Sequence, residues 1–169
     1  MVRLQLLVGV ALLCGAIAAS CQPPPKTPTE PPTTSATPVT VSIATDKKTY
    51  TAKDPIKLTL TARNPLRTPV KLTFNSGMKY DFEIRKGKAP STVRVWQWSH
   101  GRMFFQMITY VTVEPGKKLV YSETFTPGDK GPDGKPLPSL EPGTYTATAI
   151  LALSGRAPRP MASATFTVK

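Results

Sequence analysis

Histidine and cysteine are nearly missing from this 169-residue chain, which holds one His and two Cys. Nucleophilic triads and zinc sites lean on those two residue types, so catalysis of either kind has almost nothing to work with. The lone histidine, His100, sits in Ser99-His100-Gly101-Arg102, which reads as a hairpin turn, so an exposed turn residue is expected there in place of a general base. No sustained helical period follows residue 38, which removes any glycine-rich phosphate loop that leads into a helix. Acidic residues are scarce, 10 against 22 Lys and Arg, for a formal net charge of +12. The carboxylates of Asp129 and Asp133 are interleaved by Lys130 and Lys135, with no bidentate acid beyond them, and they read as a solvated turn and not as a calcium loop. No metal and no cofactor is expected.

What is there begins with an exported look. Met1 to Ser20 carries Arg3 and then an apolar run, Leu4 to Ala19, that ends in small residues. Its length and flanks fit a secretory signal better than a membrane-spanning helix. The end of that run, Ala18-Ala19-Ser20-Cys21, resembles the lipobox of bacterial lipoproteins, with Cys21 as the lipidated first residue after cleavage. Cys14 lies inside the removable segment, so no disulfide framework is possible, and Cys21 makes best sense as an acyl acceptor. Gln22 to Pro38, QPPPKTPTEPPTTSATP, has no large apolar residue and reads as a disordered stalk. In polyproline-II geometry, at about 3.1 Å per residue, it reaches roughly 50 Å from the anchor. The expected organisation is a signal peptide at 1–20, a lipidated cysteine and Pro/Thr-rich stalk at 21–38, and one folded domain at 39–169. The expected location is the bacterial cell envelope, on the outer face of the cytoplasmic membrane or in the periplasm. An exported chain rarely meets nucleic acid, and its lysines are scattered and form no stripe. They suit an acidic partner or simply keep β-strand edges soluble.

The domain reads as strands. Val39, Val41 and Ile43 alternate with polar neighbours, as do Ile56, Leu58, Leu60 and Ala62, and then Val70, Leu72 and Phe74. Asn64-Pro65 ends the second of these, because proline removes a ladder donor. Met107 to Val113 reads as a β-branched strand up to Glu114-Pro115-Gly116. Leu119, Tyr121, Glu123 and Phe125 share one face of the next. Thr126 to Leu140 reads as a Pro/Gly-rich loop too poor in apolar residues to be ordered by burial. Rows at Tyr145 to Leu153 and Ala162 to Val168 follow. Turn signals at the spacing of a sandwich predict an all-β, antiparallel sandwich of about eight or nine strands. Pro142 and Gly143 ahead of Tyr145 look like the tyrosine corner of immunoglobulin-like sandwiches, in which the phenol bonds back to the loop.

Tyr80 to Gln106 is the stretch most loaded with large side chains, holding six aromatics of a total made of two Trp, five Tyr and six Phe. Tyr80, Phe82 and Ile84 alternate with Asp81, Glu83 and Arg85, an apolar row opposite a charged one. From Thr92 to Ser99 one row is Val93, Val95 and Gln97 and the other is Arg94, Trp96 and Trp98. Two readings stand for the second row: an exposed aromatic and cationic patch of the kind that dominates interfaces, or core filling, as the strand-C tryptophan does in immunoglobulin domains. Either way, His100 and Arg102 are expected in a turn at one end of the sandwich, where binding loops sit.

Ser76-Gly77, Tyr80-Asp81-Phe82, Val95-Trp96-Gln97-Trp98-Ser99, Phe105-Gln106, Glu114-Pro115-Gly116, Tyr121 and Glu141-Pro142-Gly143-Thr144-Tyr145, in that order and spacing, resemble the BsuPI family, the intracellular proteinase inhibitor domain. The resemblance covers roughly residues 54 to 153. It implies an immunoglobulin-like sandwich and a protein that inhibits a subtilisin-like serine protease. A monomer is expected, and from the shortage of histidine and cysteine a protein that is not an enzyme. The alternative from another class is a module that binds envelope polysaccharide or assembles with envelope proteins. The chain departs from the family in its exported look, in the length of Thr126 to Leu140, and in Phe125, where the family tends to have Trp.

Overall fold

The computed structural model describes residues 38–88, 90–155 and 158–169. The signal segment, Cys21 and all but the last residue of the stalk lie outside the described residues. Ten strands are found: β1 (Thr40–Thr45), β2 (Thr49–Tyr50), β3 (Ile56–Arg63), β4 (Val70–Phe74), β5 (Tyr80–Lys86), β6 (Val93–Gln97), β7 (Thr109–Val113), β8 (Lys118–Phe125), β9 (Gly143–Leu151) and β10 (Met161–Val168). They form a five-stranded sheet in the order β2-β10-β9-β5-β6, a three-stranded sheet β1-β3-β8 and a pair β4-β7. Every pairing is antiparallel except the short one between β10 and β2. The fold is an all-β sandwich of immunoglobulin-like character, and the strand beyond the expected number is the two-residue β2, too short to show a period.

Alternation builds the core. On β3, Ile56, Leu58, Leu60 and Ala62 are all fully buried while Lys57 and Arg63 face solvent. The inner rows of the larger sheet are Phe82 and Ile84 on β5, Tyr145, Ala147, Ala149 and Leu151 on β9, and Phe166 and Val168 on β10, and all of these join the β3 row in one cluster. Tyr145 stacks on Phe166 with centroids 5.5 Å apart, and its hydroxyl donates to the Glu141 carbonyl at 2.8 Å. The phenol therefore ties the Glu141–Gly143 turn to the core, as a tyrosine corner does.

Two boundaries differ from the sequence reading. The strand expected over Thr92 to Ser99 is paired only from Val93 to Gln97, and the one expected from Met107 begins at Thr109. Residues 102–108 pair with no strand. The loop from Thr126 to Leu140 is ordered despite its composition. Gly128 N–H donates to the Leu137 carbonyl, Leu137 N–H to the Asp129 carbonyl and Gly131 N–H to the Lys135 carbonyl. Leu137 packs on the core and Leu140 is buried, so two leucines and a small hairpin do what the expectation assigned to solvent.

Asn64 is the other surprise of the frame. Beyond stopping β3 it is fully buried, and its amide donates to the carbonyls of Thr68 and Val113, both at 2.8 Å. Its oxygen accepts the Leu66 N–H, and its backbone bonds Lys117 and Gly116. One residue, by side chain and backbone together, thus satisfies the polar groups of a corner shared by the β3–β4 and β7–β8 connections.

Candidate functional site

The charged row expected on the outside of β5 is not a solvent face. Asp81 is 4% exposed, because the chain returns over it after β6. Its Oδ1 accepts the N–H of Phe82 at 2.9 Å and of Ser99 at 3.0 Å. Its Oδ2 accepts Gln97 Nε2 and Ser99 Oγ, both at 2.6 Å. A buried carboxylate with four donors is a strong local fastener, and here it fixes the end of β6 and the turn that follows.

The tryptophans do not share a face with Arg94. Between Ile84 and Arg85 the register with β6 shifts, so Ile84 pairs with Trp96 while Arg85 pairs with Arg94. Val95 is the extra residue of this bulge. Trp96 therefore lies on the inner side with Ile84, whereas Arg94 turns to the outer side, where it meets Gln97 Oε1 at 2.7 Å and Glu83 Oε1 at 3.9 Å. Both tryptophans are half-buried against the core, between the two readings the sequence left open. Trp96 leans on Phe125 with centroids 5.2 Å apart.

Trp98 is the floor of an aromatic pile. Tyr121 stacks on Tyr80 at 4.5 Å and Tyr80 on Trp98 at 4.6 Å. Phe104 lies 5.7 Å from the Trp98 ring and the Arg102 guanidinium 4.5 Å over it. Arg102 Nε also donates to the Trp98 carbonyl at 2.9 Å. Burial, and then a 2.5 Å hydrogen bond donated to Glu123, push the Tyr80 hydroxyl well above the ordinary phenol range. Burial raises Tyr121 as well. The indole N–H of Trp98 is buried without an acceptor among the described residues, a group that costs about 1–3 kcal/mol when left unpaired.

On this floor two loops meet. Gly101, at φ 73°, occupies the left-handed region that glycine tolerates best, and a β-carbon there would lie 3.5 Å from that of Asp133. The turn after β6 is therefore packed against the 126–140 loop. Between that loop and β6 lies a cleft of about 290 Å³ whose walls include Arg94, Trp96, His100, Lys135 and Leu137. Of the residues singled out from sequence, Arg94, Trp96 and His100 are brought together in the cleft, while Trp98 and Arg102 belong to the pile beside it.

Past the turn, the chain does something the alternation did not reveal. Met103 is 99% exposed, Phe105 88%, and Met107, Ile108 and Tyr110 are exposed too. The segment is anchored from within: Phe104 on Trp98, and the Phe105 carbonyl accepting Gly77 N–H at 2.8 Å. Five large apolar residues in the six from Met103 to Ile108, broken only by Gln106, were the available signal, yet such a run reads equally well as a buried strand.

The family model for the BsuPI intracellular proteinase inhibitor matches residues 43–156. No curated protein matches the chain. Among solved structures, the β-glucosidase EmGH1 from Erythrobacter marinus is similar at 18% identity and TM-score 0.42, over 78% of this chain and 16% of that one. Spo0M, a sporulation control protein from Bacillus subtilis, is similar at 15% identity and TM-score 0.43, over 78% of this chain and 49% of that one. The CARDB domain of PF1109 from Pyrococcus furiosus is similar at 12% identity and TM-score 0.40, over 78% and 87%. The chain thus spans 16% and 49% of the first two proteins it resembles.

Proposed function

Because the chain belongs to the BsuPI family, the intracellular proteinase inhibitors, we propose that it is a non-enzymatic domain that binds and inhibits a subtilisin-like serine protease. The observation that carries this reading is the family match across most of the folded domain, from residue 43 to residue 156. The build of the site supports it. A tight inhibitor must present a surface whose ordering entropy has been spent before binding, and the turn and segment after β6 are pinned by Asp81, Trp98 and Gly77. The half-buried tryptophans lie under loops and form no open aromatic row, which favours the loops as the working parts over a sugar platform.

The protease would be met outside the cytoplasm. The signal-like run and Cys21 support a lipid anchor in the bacterial envelope. Cys21→Ser is expected to release the protein from the membrane fraction; a processed mutant that still sediments with membranes overturns the anchor. The inhibitory reading is tested by titrating subtilisin with the purified full chain and following hydrolysis of a chromogenic peptide. Stoichiometric inhibition is expected, and full protease activity at micromolar chain overturns it.

A further inference from the structure

We propose that the segment Arg102–Ile108 is the part that enters the protease cleft, with the Met103 side chain filling the primary specificity pocket. This rests on the inhibitory reading above and adds to it the contact residue and the class of protease.

Proteases that bind their target as an extended strand need three things from it. Its backbone donors and acceptors must be free to pair with the cleft, its side chains must point out at alternate positions, and it must already hold that shape. The segment after β6 offers a free backbone, an exposed side chain and anchored flanks at one residue. Met103 is 99% exposed, the highest value among the large hydrophobic side chains exposed in the described residues. Among those residues its N–H and C=O make no backbone hydrogen bond. Phe104, between Met103 and Phe105, turns to Trp98, and from Phe105 to Ile108 the side chains are all exposed.

Anchors stand on both sides of Met103. Before it, Arg102 N–H donates to the Ser99 carbonyl and the Arg102 side chain is held on Trp98 by its Nε bond and by cation–π contact. After it, Phe104 sits in the pile and the Phe105 carbonyl is taken by Gly77. That carbonyl is thereby withdrawn from a partner, and so is the guanidinium of Arg102. Met103 alone of the three keeps both side chain and backbone free. Exposed apolar side chains of this size are a liability in a soluble domain unless they meet something, and an unbranched thioether suits a deep apolar pocket. The fitting partner is a serine protease with an apolar primary pocket, not one that selects a basic side chain.

The experiment titrates subtilisin and trypsin with the full chain and three variants, Met103→Asp, Met103→Arg and Met161→Asp. Met161 is also exposed but lies on β10, three strands from β6 in the sheet. Met103→Asp is expected to raise the inhibition constant for subtilisin by about a hundredfold or more, the loss typical of a central contact residue. Met161→Asp should leave it unchanged, and Met103→Arg should lower the constant for trypsin by about tenfold or more. Near-UV circular dichroism of Met103→Asp should match the parent, since the side chain touches solvent only. If the parent inhibits subtilisin and Met103→Asp inhibits equally well, the contact assignment fails while the inhibitory reading survives. If the parent does not inhibit subtilisin, both fall.

Discussion

Asn64 and Asp81 are two buried polar side chains that fasten loops, and they do so to opposite ends. Asn64 bonds backbone groups only, and among the residues it secures no large apolar side chain points outward except Leu66. Asp81 bonds a glutamine and a serine side chain as well as two amides. What it secures is the start of a segment with Met103, Phe105, Met107 and Ile108 in solvent. The first closes a corner because the fold needs it closed. The second is a carboxylate with its donors gathered around it, a costlier device to bury, spent where the chain presents apolar surface. The two differ in what they hold, one a corner of the frame and the other the base of an exposed segment.

Removing the corner should cost the most. Asn64→Ala leaves the Val113 carbonyl without a partner in a buried place and strips the half-buried Thr68 carbonyl and Leu66 N–H of theirs, so a loss of about 2–3 kcal/mol is expected. Urea denaturation measures it, with the midpoint falling while the slope holds. A loss under about 1 kcal/mol would mean that water replaces the amide and that the corner is not closed as described.

Asp81→Asn is the sharper probe, because it keeps shape and removes one acceptor. The new amide nitrogen would face Gln97 Nε2, donor against donor, and Gln97 can turn its oxygen inward only by giving up Arg94. A global loss of about 1–2 kcal/mol is expected. The distinguishing readout is local: hydrogen exchange at the Ser99 and Arg102 amides should speed up, while amides of β9 follow global stability alone. Uniform acceleration would erase the contrast between the two fasteners.

Much of this was legible. The rows of β3, β4, β9 and β10 follow from alternation, and the tyrosine corner follows from Pro142-Gly143 ahead of Tyr145, because each depends on one strand or one turn. What escaped depends on pairs. The bulge at Val95 is a property of β6 against β5, so the alternation of β6 alone put Arg94 beside Trp96. The burial of Asp81 depends on residues far along the chain that fold back over it. Thr126 to Leu140 looked unstructured because its order comes from a backbone hairpin and two leucines, not from a hydrophobic period. Met107 and Ile108 read as part of a strand because apolar residues carry the same signature whether a partner strand exists or not, and the pairing begins only at Thr109.

Tyr80 tests the same contrast from the other side of the pile, with the smallest effect. Its phenol is raised by burial and then by its bond to Glu123, so the folded state holds that proton at a pH where the unfolded chain releases it. Near pH 10, the ordinary phenol value, the unfolded state begins to bind fewer protons than the folded one, and stability falls as pH rises. The contribution is fully present below pH 10 and fades above it. Tyr80→Phe removes that proton and keeps the stacking on Trp98 and Tyr121, so its stability should fall less steeply than the parent's between about pH 10 and 11.5. The decline left in the variant belongs in part to Tyr121, which burial also raises. Melting temperatures of the two proteins across that window are the measurement. If parent and variant fall in parallel, the Tyr80 hydroxyl is hydrated in solution and its bond to Glu123 does not hold the pile closed.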